Sequence, residues 1–109
     1  MKTYTVLMTQ NAEADVRSIR DYFLNDMQSP ATAAMHLRAI REEVASLRDL
    51  PLRYQLLEEE PWHSRGIRST LARKYLIYYR VDEEKSTVYV LNVVLASRNQ
   101  LKILEGMNL

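Results

Sequence analysis

Five cations, Arg65, Arg68, Arg73, Lys74 and Arg80, fall between residues 62 and 81 with no acidic residue among them. A guanidinium carries a fixed charge and a planar donor fork, so it suits phosphate or carboxylate recognition rather than proton transfer. These cations lie on and around two β-rich runs, residues 74–81 and 87–98, joined by the polar stretch 82–86. That arrangement reads as a β-hairpin. Arginines carried on a rigid antiparallel sheet point to a surface that engages phosphates or an acidic protein.

Residues able to move protons are fewer. His63, between Trp62 and Arg65, carries the imidazole nearest these cations and is a candidate proton carrier; the plainer reading is an ordinary loop histidine. His36 sits beside an apolar helical stripe, where a partly buried histidine is expected. Tyr75, Tyr78 and Tyr79 serve either as core or as stacking groups, and Trp62 reads as a plug between loop and core. The chain has no cysteine, and Gly66 and Gly106 are its only glycines. Thiol chemistry, glycine-rich phosphate loops, paired histidines at metal-ligand spacing and a nucleophile elbow are therefore missing from the sequence. No cofactor and no metal are expected.

The 109 residues suit one domain, 1–109, with its own core. No apolar run approaches the roughly 18 to 20 residues that span a bilayer, and a cytoplasmic protein is expected. The net charge of +1 hides an asymmetry: residues 1–60 hold 7 Lys and Arg against 10 Asp and Glu, residues 61–109 hold 8 against 4. A basic second half can steer a polyanion even when the bulk charge is near zero.

The elements that must position these side chains follow from periodicity. Residues 4–8 alternate weakly, as a short strand does. Thr9 can cap a helix whose inner face is Ala12, Val16, Ile19 and Phe23, ending near Asn25. Ser29-Pro30 restarts a helix, with Ser as N-cap and Pro at the first position. Leu37, Ile40, Val44 and Leu47 form its stripe, and Leu50-Pro51 ends it. A link this short makes the two helices an antiparallel hairpin. Residues 51–66 read as a loop with a short strand at 54–57; residues 68–71 begin the next strand. Along residues 74–82, Tyr75, Ile77, Tyr79 and Val81 share one face, and Leu76, Tyr78 and Arg80 the other. One face must cover the helices; the other is expected to stay partly open for a partner. A short helix over residues 99–105, closed by Gly106, is expected last. The order β-α-α-β-β-β is an α+β fold: an N-terminal strand, an antiparallel two-helix hairpin, a three-stranded antiparallel run completing a twisted sheet, and a short C-terminal helix.

Four pieces in that order resemble the RelE/ParE superfamily of toxins from bacterial type II toxin–antitoxin modules. They are Thr9-Gln-Asn-Ala12-Glu-Ala-Asp15-Val16; Ser29-Pro30; Glu59-Glu-Pro-Trp62-His-Ser-Arg65-Gly66-Ile-Arg68; and Tyr75-Leu-Ile-Tyr-Tyr-Arg-Val81 leading into the run from Val90 to Arg98. The resemblance spans residues 3–104. It implies one of two activities, ribosome-dependent mRNA cleavage or trapping of DNA gyrase, and a cognate antitoxin that wraps the toxin, with a higher-order toxin–antitoxin complex possible. A non-toxic protein-interaction domain is the remaining alternative.

Metal-free cleavage at a ribose 2′-OH needs a proton acceptor, a proton donor and cations facing the phosphorane. On that branch the catalytic candidates are Arg68, Arg98 and His63. The target-binding candidates on either branch are Arg65, Arg68, Arg80, Arg98 and Tyr79. Arg98 lies where the superfamily usually keeps an arginine. The endonuclease branch typically carries a His or Tyr shortly after that position. Here the stretch is Asn99-Gln100-Leu101-Lys102, and Leu95 stands where family members often have His. These departures favour the gyrase-inhibiting branch.

Overall fold

Thr9 ends the first strand and starts the first helix with one hydroxyl. In the computed structural model, which describes residues 2–97, Thr9 has extended backbone (φ −69°, ψ 166°) and its Oγ1 accepts the Ala12 amide. Strand β1 (Thr5–Met8) precedes it and helix α1 (Gln10–Asp21) follows. The helical path continues through a wider turn over Tyr22–Asp26, in which Met27 N donates to Tyr22 O at 3.0 Å. This π-type turn carries the helix to the end expected near Asn25.

Helix α2 (Pro30–Ser46) starts at the expected proline. Ser29 occupies the N-cap position, but its hydroxyl donates to Thr32 Oγ1 at 2.7 Å instead of capping a backbone amide. Its backbone, at φ −128° and ψ 81°, lies outside the usual capping geometry. The expected stripe is the buried one: Leu37, Ile40, Val44 and Leu47 all face inward. Leu50 then turns the chain in the left-handed region (φ 49°, ψ 53°), and Pro51–Arg53 forms a single 3-10 turn.

The strand expected at residues 54–57 reduces to one bridge, Leu56 with Arg68, and an amide of Leu57 donated to Ile67 O at 2.9 Å. Beyond Gly66 come β2 (Ile67–Ala72), β3 (Tyr75–Asp82) and β4 (Thr87–Leu95). Arg73 (φ 53°) and Ser86 (φ 48°) take the left-handed positions in the two connections. The sheet order is β1-β4-β3-β2. It is antiparallel except at β1, which runs parallel to β4 because the two-helix crossover returns the chain in the same sense.

Tyr75, Ile77 and Tyr79 meet Ala12, Ile40, Val44 and Leu47 beneath the helices, with Val88, Val90 and Val93 from β4. The opposite face is not open as expected. Trp62, Ile67 and Tyr78 form a second buried cluster with Leu57, Leu76, Leu91 and Val94 packed against it. The chain's own 57–66 segment covers that face, and burying a tryptophan there is worth on the order of 2–3 kcal/mol. The expected C-terminal helix lies outside the described residues.

Candidate functional site

Arg68 sits on the helix side of the sheet because it pairs with Tyr79 in the β2–β3 register. Its Nη1 donates to the carbonyl of Tyr54 at 2.5 Å and to that of Leu52 at 3.5 Å. Beside it, the buried Tyr79 hydroxyl donates to Pro51 O at 2.6 Å. Burial, only partly offset by Arg68 and Arg53, pushes the Tyr79 phenol up to about 12. It is a permanent donor at neutral pH and presents no surface to a target.

Helix α2 supplies the carboxylate of this cluster. Glu43 Oε2 accepts from the Tyr54 hydroxyl at 2.8 Å and from Thr70 Oγ1 at 2.7 Å, with Arg53 Nη2 at 3.9 Å. Arg53 Nη1 donates to Asp49 O at 2.6 Å and Leu50 O at 3.1 Å, and its Nη2 to Ser46 Oγ at 2.8 Å. Arg53, Arg68 and Tyr79 together fasten the carbonyls of Asp49, Leu50, Pro51, Leu52 and Tyr54. The chemistry of this cluster is positional: it fixes a loop.

The other candidates lie elsewhere. Arg80 faces the opposite side of the sheet, paired with Ile67, its guanidinium 4.9 Å from the Tyr89 ring centroid. Arg65 is exposed in the turn before Gly66. His63 is exposed, and its Nδ1 lies 2.8 Å from Leu57 O, so Nδ1 is the protonated nitrogen and donates there. Arg98 lies outside the described residues. The last residues before it sit at the far end of β3: Leu95 pairs with Tyr75, and Ala96 N donates to Lys74 O at 2.8 Å. Arg68 pairs four residues further along, about 13 Å away at roughly 3.3 Å per residue.

Arg68 and Leu95, the last residue of β4, thus stand at different points along β3. Antiparallel reversal makes β4 leave the sheet where β3 begins, whereas Arg68 stands near where β3 ends. Arg68 and Arg80 are further divided by the alternation of faces. Sequence reasoning overlooked Glu43 and Arg53, whose only signal was polar character near a helix C-terminus, and it overlooked the role of Asp15.

At that far end a groove of about 480 Å³ opens between α1 and the sheet, lined among others by Asp15, Tyr22, Phe23, Lys74, Tyr75 and Leu95. Behind it His36 is buried, its Nδ1 3.1 Å from the Tyr75 hydroxyl and its ring centroid 4.6 Å from that of Phe23. Burial first, then the charges of Lys74 and Arg73, hold the His36 imidazolium below its ordinary range. A second groove, about 270 Å³, runs between β1 and the helices and is lined by Val6, Met8, Val16, Ile40, Arg41, Val44 and Ala45.

Residues 6–100 match the ParE toxin of the type II toxin–antitoxin system, nearly the whole chain. The chain belongs to the ParE toxin family. Its fold matches that of a solved chain from the chromosomal ParDE system of P. aeruginosa, with a TM-score of 0.71 at 22% identity, covering 89% of this chain and 100% of that one. A chain of the Mycobacterium tuberculosis RelBE2 toxin–antitoxin complex matches with a TM-score of 0.62 at 28% identity, covering 85% and 98%. A mutant of the E. coli toxin RelE in the free state matches with a TM-score of 0.61 at 17% identity, covering 93% and 92%. Sequence comparison with curated proteins found no match. The ParE-like strand, helical hairpin and three further strands are thus the shared frame, and this chain is a ParE-like toxin. Among the described residues, no helix is long and apolar enough to cross a membrane.

Proposed function

We propose that this ParE-like toxin arrests growth in the cytoplasm by binding DNA gyrase without performing chemistry, and that a cognate antitoxin neutralises it. The observation that carries this reading is the dispersal of the groups a nuclease would need to assemble. Arg68 turns its Nη1 to the carbonyls of Leu52 and Tyr54, and Arg80 lies across the sheet. Tyr79 is sealed against Pro51, and His63 is tied to Leu57. Cleavage requires acid, base and cations within hydrogen-bond reach of one phosphate. The family match over residues 6–100 supports the same branch.

The antitoxin is assigned to the β1 edge and the adjoining groove. Among the described residues β1 pairs only with β4, which leaves one side of its backbone available for strand addition. Val6, Met8, Ile40 and Val44 beside it offer apolar seats to an added segment.

Induction of the chain in bacteria is expected to stop growth, and co-expression of the adjacent reading frame to restore it. Purified protein is expected to inhibit supercoiling by gyrase. Codon-specific mRNA cuts on translating ribosomes, with gyrase unaffected, would reverse the assignment in favour of a RelE-like endonuclease. Arg98→Ala, at the residue the superfamily resemblance singles out, is expected to reduce the arrest.

A further inference from the structure

Leu50 and Leu52 are 62% and 43% exposed, on either side of a buried Pro51. An exposed leucine held at φ 49° and ψ 53° is unusual, because a Cβ crowds the following carbonyl in the left-handed region. Such a conformation persists only where the surroundings enforce it, and here they do. The Asp49 and Leu50 carbonyls accept from Arg53, the Pro51 carbonyl from Tyr79, and the Leu52 and Tyr54 carbonyls from Arg68. On the other side, Thr3 bridges Asp49 and Tyr4 N donates to Arg48 O at 2.8 Å. These hydrogen bonds fix the loop that carries the two exposed leucines.

We propose that Leu50 and Leu52 are the anchor with which this toxin grips its protein target, seating in an apolar pocket of a folded partner whose rim carries carboxylates. The inference rests on the toxin reading but not on gyrase being the target. Two observations select this occupant. The leucines project from a loop fixed before any encounter, which suits insertion into a preformed pocket, whereas an extended segment needs a groove such as the one beside β1. The cleft that the two leucines border is lined by the cations Lys2 and Arg53 and by no acid, with Glu43 3.9 Å from Arg53, Asp49 in the loop and Glu83 beside Lys2 as the acids further out. Carboxylates on the partner would steer the approach and pair with the rim.

Leu50→Gly separates the anchor from the fold, because glycine adopts the left-handed backbone freely. The variant is expected to melt at or above the wild-type temperature and to bind the antitoxin unchanged. Its growth arrest should need at least about tenfold more protein, the loss expected when a central apolar anchor is removed. Leu50→Asn and Leu52→Ser repeat the test should the glycine variant fold poorly. Leu71→Ser removes a leucine that is 57% exposed on β2 and should leave arrest intact. Full arrest by folded Leu50 and Leu52 variants would overturn the proposal. So would loss of antitoxin binding with arrest retained, or dissolution of a toxin homodimer with arrest retained. If wild type arrests growth but leaves supercoiling untouched, gyrase is the wrong target, and the anchor is judged on arrest alone.

Discussion

The carboxylate of Asp15 on α1 accepts the backbone amide of Val93 on β4 at 2.9 Å, and the Asn92 side-chain amide at 2.9 Å with the same oxygen. Val93 needs this partner because the β3–β4 register slips between Tyr78, opposite Asn92, and Tyr79, opposite Val90. The extra residue, Leu91, has its carbonyl bound by the Thr9 hydroxyl at 3.0 Å. Helix α1 and its cap thus close a β-bulge that would otherwise leave polar backbone without partners.

Removing that carboxylate is expected to destabilise the fold. Asp15→Ala should cost about 1–2 kcal/mol, the typical penalty for orphaning a part-buried donor. Urea denaturation measures it; an unchanged midpoint would mean that water replaces the carboxylate at no cost.

Acid should weaken the protein through His36. Its folded pKa lies below the ordinary value of 6.5, so the unfolded chain binds more protons in the interval between the two. The contribution is complete above the unfolded value and is lost as pH falls from there toward the folded one. His36→Leu is expected to flatten this slope, which denaturation at a series of pH values from neutral to acidic would reveal.

Tyr79 shows the opposite sign. With its phenol raised to about 12, the folded state holds the proton more tightly than the unfolded chain, and stability falls as pH rises from the ordinary tyrosine value of 10.0 toward that figure. Tyr79→Phe should reduce the alkaline loss, leaving the share of the buried Tyr75 and Tyr78, whose phenols burial also raises, and, by leaving the Pro51 carbonyl without its donor, cost about 1–2 kcal/mol at neutral pH. Ultraviolet titration of tyrosinate, with and without the substitution, tests the assignment.

Trp62 is the chain's single tryptophan and is buried over Tyr78 and Ile67. Trp62→Ala is expected to cost about 3–5 kcal/mol, the range for deleting a large buried aromatic. In wild type, tryptophan emission should shift to the red only when the 57–66 segment leaves the sheet. A red-shifted native spectrum would contradict the packing.

Much of the architecture was legible in the chain. Periodicity found α1 from Ala12, Val16, Ile19 and Phe23, and α2 from Leu37, Ile40, Val44 and Leu47, because helical burial repeats at a spacing that sequence displays directly. The alternation in β3 identified Tyr75, Ile77 and Tyr79 as one face, and Thr9 and Pro30 marked the helix starts. These are local matters, set by neighbours within a turn or a pleat.

What lay beyond the sequence was register and closure. Nothing in the order of residues says that β1 runs parallel to β4, that Leu91 bulges, or that Trp62 folds back to cover Tyr78. The cations between residues 62 and 81 are neighbours in sequence, yet strand alternation sent Arg68 and Arg80 to opposite faces, and antiparallel reversal carried the exit of β4 to the far end of β3. Local propensity acts over a few bonds, whereas the meeting of Asp15 with Val93, or of Tyr79 with Pro51, depends on how whole elements pack. Local sequence was enough for β1, α1, α2, the β3–β4 hairpin and the family, but not for the stretch at 54–57, which is a single bridge; tertiary packing alone brought distant side chains together.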